Sequence, residues 1–357
     1  MQNIHFPVFK TKVSESPKFN LNDPEERKKY FTLKVGSEIK KLQEYLASGK
    51  TFVAFLLGKK NSGKGTYSKL FMEALGVGDK IGHVSIGDIV RDIHQGLSTD
   101  EGKKALLEFL KTNYRGFHSP EETIDLILGR NQSSLISSEL IVALIKYEIA
   151  KRPRQAVFID GFPRALDQIS YSLYLKELIG YREDPDFLVF INLPNTIIDE
   201  RIKYRVICPI CKTPRNLRLL ATKDAGYDEE KKEFYLMCDD PACDKARMVK
   251  KEGDELGIGP IRERLETDDK IFAQLLTLHG IPKVYLRNSI PVTEAGEAVD
   301  DYEITPGYQY EKKADGGVTV IETPWIVKDD EDVDSYSLLP PAVVVSLIKQ
   351  IAEVLHL

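Results

Sequence analysis

The chain has 357 residues, of which 42% are hydrophobic and 29% charged, a balance that provides for a full apolar core and excludes a disordered polyelectrolyte. Its formal net charge of −5 gives no overall attraction to nucleic acid or an anionic membrane, so any anion site must be a local cluster of Arg and Lys. The opening MQNIHFPVFK lacks the apolar stretch of a signal peptide, and runs such as FVAFLL at 52–57 are too short to cross a bilayer, so a cytoplasmic protein is the expectation.

Residues 1–50 read as a polar N-terminal helical extension. Asp23-Pro24-Glu25-Glu26 has the cap, first-turn proline and acidic residues of a helix start, and Ser37 to Leu46 carries a second helical pattern. TFVAFLL at 51–57 is a continuous apolar run, as in a buried strand, and it ends in GKKNSGKGT at 58–66 with a helix predicted from Lys64 to Leu75. Further buried strands are predicted at 83–86 (HVSI), 156–160 (AVFID) and 187–193 (FLVFINL), separated by helical patterns at 137–151 and 165–178. This alternation predicts an α/β fold, a parallel sheet with helices on both faces. Ile261 to His279 reads as a long helix and Pro341 to Leu357 as a closing one, with a β-hairpin between them at 303–327 turning at Asp315-Gly316-Gly317.

The glycine loop carries the strongest chemical signal. Gly58, Gly63 and Lys64 fit the Walker pattern, but Gly65 follows the lysine and Thr66 comes one residue late for a magnesium-binding hydroxyl. A glycine-rich turn opening a helix exposes successive N–H groups and the positive end of the helix dipole, which together hold phosphates. Next, Asp160-Gly161-Phe162-Pro163-Arg164 follows the strand AVFI, where an acidic residue at the strand's carboxyl end suits magnesium, directly or through water. Ser85-Ile86-Gly87-Asp88 breaks a strand into a helix and sets Arg91 in its first turn, which serves equally for a phosphate fork or a solvated arginine.

All four cysteines fall in one stretch, Cys208-x2-Cys211-x26-Cys238-x4-Cys243. Two pairs on adjacent turns can close a tetrahedral thiolate site around zinc, the alternative being four ordinary buried thiols. Four thiolates leave no open position, so such a zinc is structural.

In order along the chain, Gly58-x4-Gly63-Lys64-Gly65-Thr66, Ser85-x-Gly87-Asp88-x2-Arg91 and Asp160-Gly161-Phe162-Pro163-Arg164-x3-Gln168 resemble the motifs of adenylate kinases. In that family a glycine normally follows the lysine, and Thr66 takes its usual place. The likeness continues through Asp199-Glu200-Arg201-x3-Arg205 and Ile261-Arg262-Glu263-Arg264-Leu265, and it spans roughly residues 51 to 280 and the closing helix.

The resemblance implies reversible transfer of the γ-phosphoryl of Mg-ATP to AMP, with Lys64, Arg91, Arg164, Arg205 and Arg264 as the catalytic charges. ATP falls on Gly58, Asn61, Ser62, Gly63, Lys64, Gly65, Thr66, Arg201 and Arg205, with Arg201 packed on the adenine. AMP falls on Ser85, Ile86, Arg91, Gly161, Arg164, Gln168 and Arg264, and Mg2+ on Thr66 and, through water, Asp160. Arg205 and Arg264 close over the transferring phosphates, while a further lid arginine of the family falls at Lys251, which cannot fork. Some members carry a zinc lid between these arginines, which implies that Zn2+ on Cys208, Cys211, Cys238 and Cys243 is structural.

The domain reading is then a core over 51–357 interrupted by a monophosphate-binding lobe at 86–140, a zinc lid at 205–262 and the additional hairpin at 303–327. The segment from Arg91 to Ser138 is longer than the usual lobe and predicts added helices. Expected partners are ATP and AMP alone, with no nucleic acid, no membrane and a monomeric state.

Two alternatives stand beside this reading. One is a UMP/CMP kinase on the same fold, since Ile86 replaces a hydrogen-bonding residue although the Gln168 amide suits adenine. The other is an inactive nucleotide-sensing or nucleic-acid-binding protein. Against it, the basic residues Arg215, Arg218, Lys231, Lys232, Lys245 and Arg247 are interleaved with acidic ones.

Overall fold

In the computed structural model, which describes residues 6–13, 17–128 and 137–357, the first helix is α1 (Pro24–Ala47). Asp23 caps it by accepting the N–H groups of Glu25 and Glu26, and Pro24 stands in the first turn, where a missing N–H costs nothing. The two helical stretches expected here are one element, interrupted at Val35 with a φ of −146°. β1 (Val53–Leu57) runs into the glycine loop and α2 (Lys64–Leu75), which ends at left-handed Gly76. β2 (Ile81–Ser85) turns directly into α3 (Ile86–Gly96), one residue earlier than the sequence pattern suggests, because the Ser85 hydroxyl caps the helix through the N–H of Asp88.

α4 (Asp100–Asn113) and α5 (Pro120–Leu128) are the added helices, and α6 (Ser138–Ala150) completes this region; the part of the expected lobe at 129–136 lies outside the described residues. β3 (Ala156–Asp160), α7 (Gln168–Leu178), β4 (Asp186–Asn192) and α8 (Asn195–Lys203) follow. A lid-like region comes next, with strands β5 (Arg205–Ile207), β6 (Pro214–Asn216), β7 (Ala225–Asp228), β8 (Glu233–Leu236) and β9 (Val249–Lys250). The chain returns through α9 (Arg262–Leu276) to β10 (Lys283–Arg287), β11 (Ser289–Pro291) and α10 (Val292–Ala298). The hairpin is formed by β12 (Gly307–Lys312) and β13 (Val318–Thr323), with Lys313 N–H donating to the Gly317 carbonyl (2.7 Å) across the turn. β14 (Ile326–Lys328), β15 (Asp334–Ser337) and α11 (Pro340–Val354) close the chain.

Five parallel strands in the order β10-β4-β1-β3-β2 make the central sheet. Side chains alternate along the β1 run: Phe52, Ala54 and Leu56 face one apolar core, and Val53, Phe55 and Leu57 face the other. The register sets Asp160 between Leu56 and Ser85, so β1, β2 and β3 all deliver their carboxyl ends to one edge.

The N-terminal extension is more than a polar preface. Residues 341–348 of α11 are all buried, and a helix apolar on every side needs cover beyond a single sheet face. Tyr30, Phe31 and Leu42 of α1 join the same core and supply that cover. Buried Glu303 then ties the extension to the C-terminal region, accepting from the Tyr30 hydroxyl (2.5 Å) and the Thr11 hydroxyl (2.7 Å) and pairing with Lys34 (3.4 Å). Such a charge is tolerable only because it is fully hydrogen-bonded. No helix among the described residues is long and apolar enough to cross a membrane.

Candidate active site

The loop after β1 is shaped by two residues with positive φ, Asn61 (66°) and Gly63 (96°), conformations that asparagine tolerates and glycine adopts freely. The first helical bond of α2 runs from Tyr67 N–H to the Gly63 carbonyl (2.9 Å), so the amides of Lys64, Gly65 and Thr66 stand ahead of it as unpaired donors of the helix start. Lys64 folds back over the loop, its Nζ donating to the carbonyls of Gly58 (2.8 Å) and Lys59 (3.0 Å). Burial lowers its pKa, against the opposing pull of Asp160 and Asp268.

Lys64 shares one small cavity with Gly58, Arg164, Arg264 and Asp268. Burial raises the Asp268 pKa, with Arg264, Lys64 and Arg164 acting in opposition, and its carboxylate also accepts the Lys60 N–H. The Lys60 pKa is lowered by burial and then by the nearby charges of Arg264, Lys251, Arg205 and Arg164. This concentration of cations at the carboxyl edge of the sheet is the local cluster of Arg and Lys that an anion site requires, which the overall charge of −5 does not suggest. Asp160 Oδ1 is buried without a hydrogen-bond partner and lies 3.9 Å from Lys64 Nζ, while Oδ2 lies 3.8 Å from His83 Nε2. An orphaned carboxylate oxygen beside a phosphate loop fits the water shell of a divalent cation.

Of the residues expected on the acceptor side, Gly161 has a φ of 86°, and a Cβ there would meet the Arg164 guanidinium at 2.6 Å, so only glycine lets that side chain lie where it does. Gln168 is buried, its Oε1 accepting the Arg164 N–H (2.7 Å) while its amide nitrogen carries no hydrogen bond to the described residues. Ile86 is buried in the second apolar core. Arg91 is well exposed and pairs with Asp88 one turn earlier on α3.

On the side expected to take the donor, a cavity of about 370 Å³ opens beside Gly63, Thr66, Tyr67, Arg201 and, from the lid-like region, Leu219 and Leu220. Arg201 is steadied by the Asn61 carbonyl and Asn288 Oδ1 (both 3.3 Å), and Asn288 in turn donates to the Tyr67 hydroxyl (2.8 Å). Arg205 forks onto Asp254 (2.6 and 2.7 Å), so its guanidinium is held by the lid carboxylate. Ser62 lies beneath the loop, its buried hydroxyl without a partner. Lys59 is anchored away from the cleft by Asn195 (2.9 Å), Asp330 (3.2 Å) and Asp269 (3.6 Å).

The four cysteine sulphurs all lie within 4.8 Å of one another, Cys211 and Cys238 at 3.6 Å. A tetrahedral zinc with bonds of about 2.3 Å sets its sulphurs about 3.8 Å apart, so the donor set fits a structural zinc. Cys208 and Cys211 sit on a turn between β5 and β6 that is closed by Lys212 N–H to the Cys208 carbonyl (3.1 Å). Thr213 lowers the Cys211 thiol pKa to about 6 through its hydroxyl and backbone, while burial and the neighbouring thiols push Cys243 up to about 12, the pattern of a charge shared within one cluster.

The chain matches no protein-family model. It is 30% identical over 201 residues to the adenylate kinase of Thermotoga petrophila, a match covering 56% of this chain and 73% of that protein. The chain belongs to the adenylate kinase family. The adenylate kinase of Clostridium acetobutylicum is 27% identical over 234 residues (65% of this chain, 86% of that protein), and that of Mycoplasma mycoides 26% over 212 residues (59% and 79%).

Several residues that this family member places around the cleft were not singled out from sequence. Asp268 stands four residues after Arg264 on α9, an i,i+4 pair on one helix face that the spacing could have shown. His83 stands two before Ser85 on β2, hence on the same face, and pairs with Ser68 (2.9 Å). Asn288, Asp254 and Asp330 come from remote segments with no local signal.

Proposed function

We propose that this adenylate kinase-family chain transfers the γ-phosphoryl group of Mg-ATP reversibly to AMP, giving two ADP. The observation that carries this reading is the convergence of Lys64, Arg164 and Arg264 on one cavity beside the open amides of the phosphate loop. In the forward step an AMP phosphate oxygen bonds to the γ-phosphorus while the bond to the β–γ bridging oxygen breaks and its electron pair leaves with ADP. The nucleophile is already an anion, so the site needs no strong base; it must align two polyanions and neutralise charge developing between them. In this reading Lys64 would bridge the β- and γ-phosphates, and Arg164 and Arg264 would hold the equatorial oxygens. Magnesium, held by Thr66 and through water by Asp160, would add a positive charge on the same phosphates.

We read residues 86–140 as the acceptor lobe and 205–262 as a lid over the donor, kept in shape by zinc on the four cysteines. Arg91 would complete the acceptor phosphate site by turning from Asp88, and Arg205 the donor site by turning from Asp254. The Gln168 amide, its NH2 without a hydrogen bond to the described residues, supports adenine through its N1 acceptor.

A pyrimidine acceptor is the second reading, favoured by the apolar Ile86 and by the engagement of Gln168 Oε1 with the Arg164 N–H. Steady-state kinetics with ATP and a panel of AMP, CMP and UMP decides between them. The expected result is the highest kcat/KM for AMP, reduced more for AMP than for CMP or UMP by Gln168→Leu. Higher kcat/KM for CMP or UMP in the wild type would replace the first reading by the second.

A further inference from the structure

The donor-side cavity is walled in part by segments outside the resemblance to the family. Leu21 and Asn22, from the extension, form one wall. They are fastened to the phosphate-loop helix: Arg27 forks onto Glu73 of α2 (2.8 and 3.1 Å), and its remaining nitrogen donates to the Leu21 carbonyl (3.1 Å). Thr305, which leads into the hairpin, forms another. Its backbone is fixed by N–H donation to the Ser337 carbonyl (2.8 Å), and only 7% of the residue is exposed. Yet its hydroxyl makes no hydrogen bond to any described residue. Thr305 lines the cavity and its hydroxyl is solvent-accessible rather than sealed in the core, so it is available to pair with a ligand there.

The direction of the ligand follows from the loop. Phosphates on the amides of Gly63 to Thr66 place the attached nucleoside beside the first turn of α2, in the cavity that Arg201 and Tyr67 share with Thr305. Apolar surface predominates in the walls, as the faces of a base require, and of the polar side chains that line them Asn216 and Ser337 are already hydrogen-bonded within the protein. The Asn22 amide, without a side-chain partner among the described residues, is the second open group at the rim.

We propose that Thr305, with Asn22, determines the base of the donor nucleoside triphosphate, the Thr305 hydroxyl hydrogen-bonding the base edge. This rests on the kinase reading for the identity of the donor, and it assigns a specificity role to segments added to the family's core. A hydroxyl that both donates and accepts can meet the amino group or a ring nitrogen of adenine.

The test is Thr305→Val, which keeps the shape and removes the hydroxyl, with Thr305→Ser as the rescue. The expected result is a roughly ten-fold rise in KM for ATP. The ATP-over-GTP preference falls, KM for AMP is unchanged and kcat at saturating ATP is retained; Thr305→Ser restores the wild-type KM. Asn22→Ala, at an exposed position that tolerates truncation, raises KM for ATP several-fold and keeps the proposal testable should the valine variant misfold. ATP titrated calorimetrically into each protein in the absence of a monophosphate separates this inference from the reaction. Weaker binding to Thr305→Val supports the inference even if no monophosphate is phosphorylated, and normal turnover with KM and Kd for ATP within two-fold of wild type in both variants overturns it.

Discussion

Removing the Tyr310 side chain should loosen the cysteine lid without disturbing the sheet. Its hydroxyl donates to the Leu217 carbonyl (2.5 Å), its ring stacks on Phe234 at 5.5 Å, and it packs against the small core that contains Cys208, Leu236 and Met248. The same hairpin makes a backbone bond from Tyr308 to the Arg218 carbonyl (2.8 Å) and pairs Lys312 with Glu229. At its base, Thr305 bonds to Ser337 and Ile304 bridges Leu338, so the hairpin is fastened to the core at one end and to the lid at the other. Tyr310→Ala loses a hydrogen bond of about 1 kcal/mol, an aromatic pair of about 0.5–1.5 kcal/mol and some apolar burial, together about 2–3 kcal/mol. At about 1.4 kcal/mol per tenfold, local opening of the lid rises roughly 30- to 150-fold. Native-state hydrogen exchange at the Met248 and Cys238 amides, which bond to Leu236 (2.9 Å) and Ala246 (3.0 Å), reads this directly. Tyr310→Phe should give a several-fold effect. Lid exchange within two-fold of wild type in a folded Tyr310→Ala protein would refute the reasoning.

Lys64→Ala or Arg164→Ala should lower kcat by about 10²- to 10³-fold with the fold intact, and wild-type turnover in either contradicts the assigned roles. Metal analysis should find one zinc per chain, lost in Cys208→Ser with a lower Tm; an equally stable metal-free wild type rules out the structural zinc. The pKa values of Lys64 and Lys60 are lowered in the free protein by burial, and a bound polyphosphate raises them again, so ATP binding takes up protons on the alkaline side and weakens as pH rises through that window. For folding the sign is opposite: the unfolded chain keeps these protons to higher pH, so the same groups make the unliganded protein more stable with rising pH there. Calorimetry in buffers of different ionisation enthalpy measures the uptake, and proton release on binding contradicts it.

Much of the fold was legible because its signals are local. The β1 run, its glycine loop and the Asp315-Gly316-Gly317 turn each declare themselves within a few residues. The role of α1 was less so, although Phe31, Val35, Ile39, Leu42 and Leu46 recur at helical spacing. Their partner, the largely buried α11, lies some 300 residues away, and a sequence pattern shows that a face is apolar without showing what covers it. The candidate site divides in the same way. Gly58, Lys64, Asp160 and Arg164 sit at strand ends and were visible as motifs. Asp254 on Arg205, Asp330 on Lys59 and Asn288 on Arg201 exist only because remote segments meet at the cleft. The pairings of Arg205 and Arg201 show that arginines placed by motif can be engaged by the protein's own carboxylates and amides before any substrate arrives.

The central claim is phosphoryl transfer between nucleotides, and the most direct measurement follows the group itself. ATP labelled in the γ-phosphoryl, incubated with AMP and magnesium, should yield ADP carrying the label in its β-phosphoryl, and the reverse reaction should regenerate labelled ATP from two ADP. Label released only as inorganic phosphate, or retained in ATP across AMP, CMP and UMP, would contradict the account.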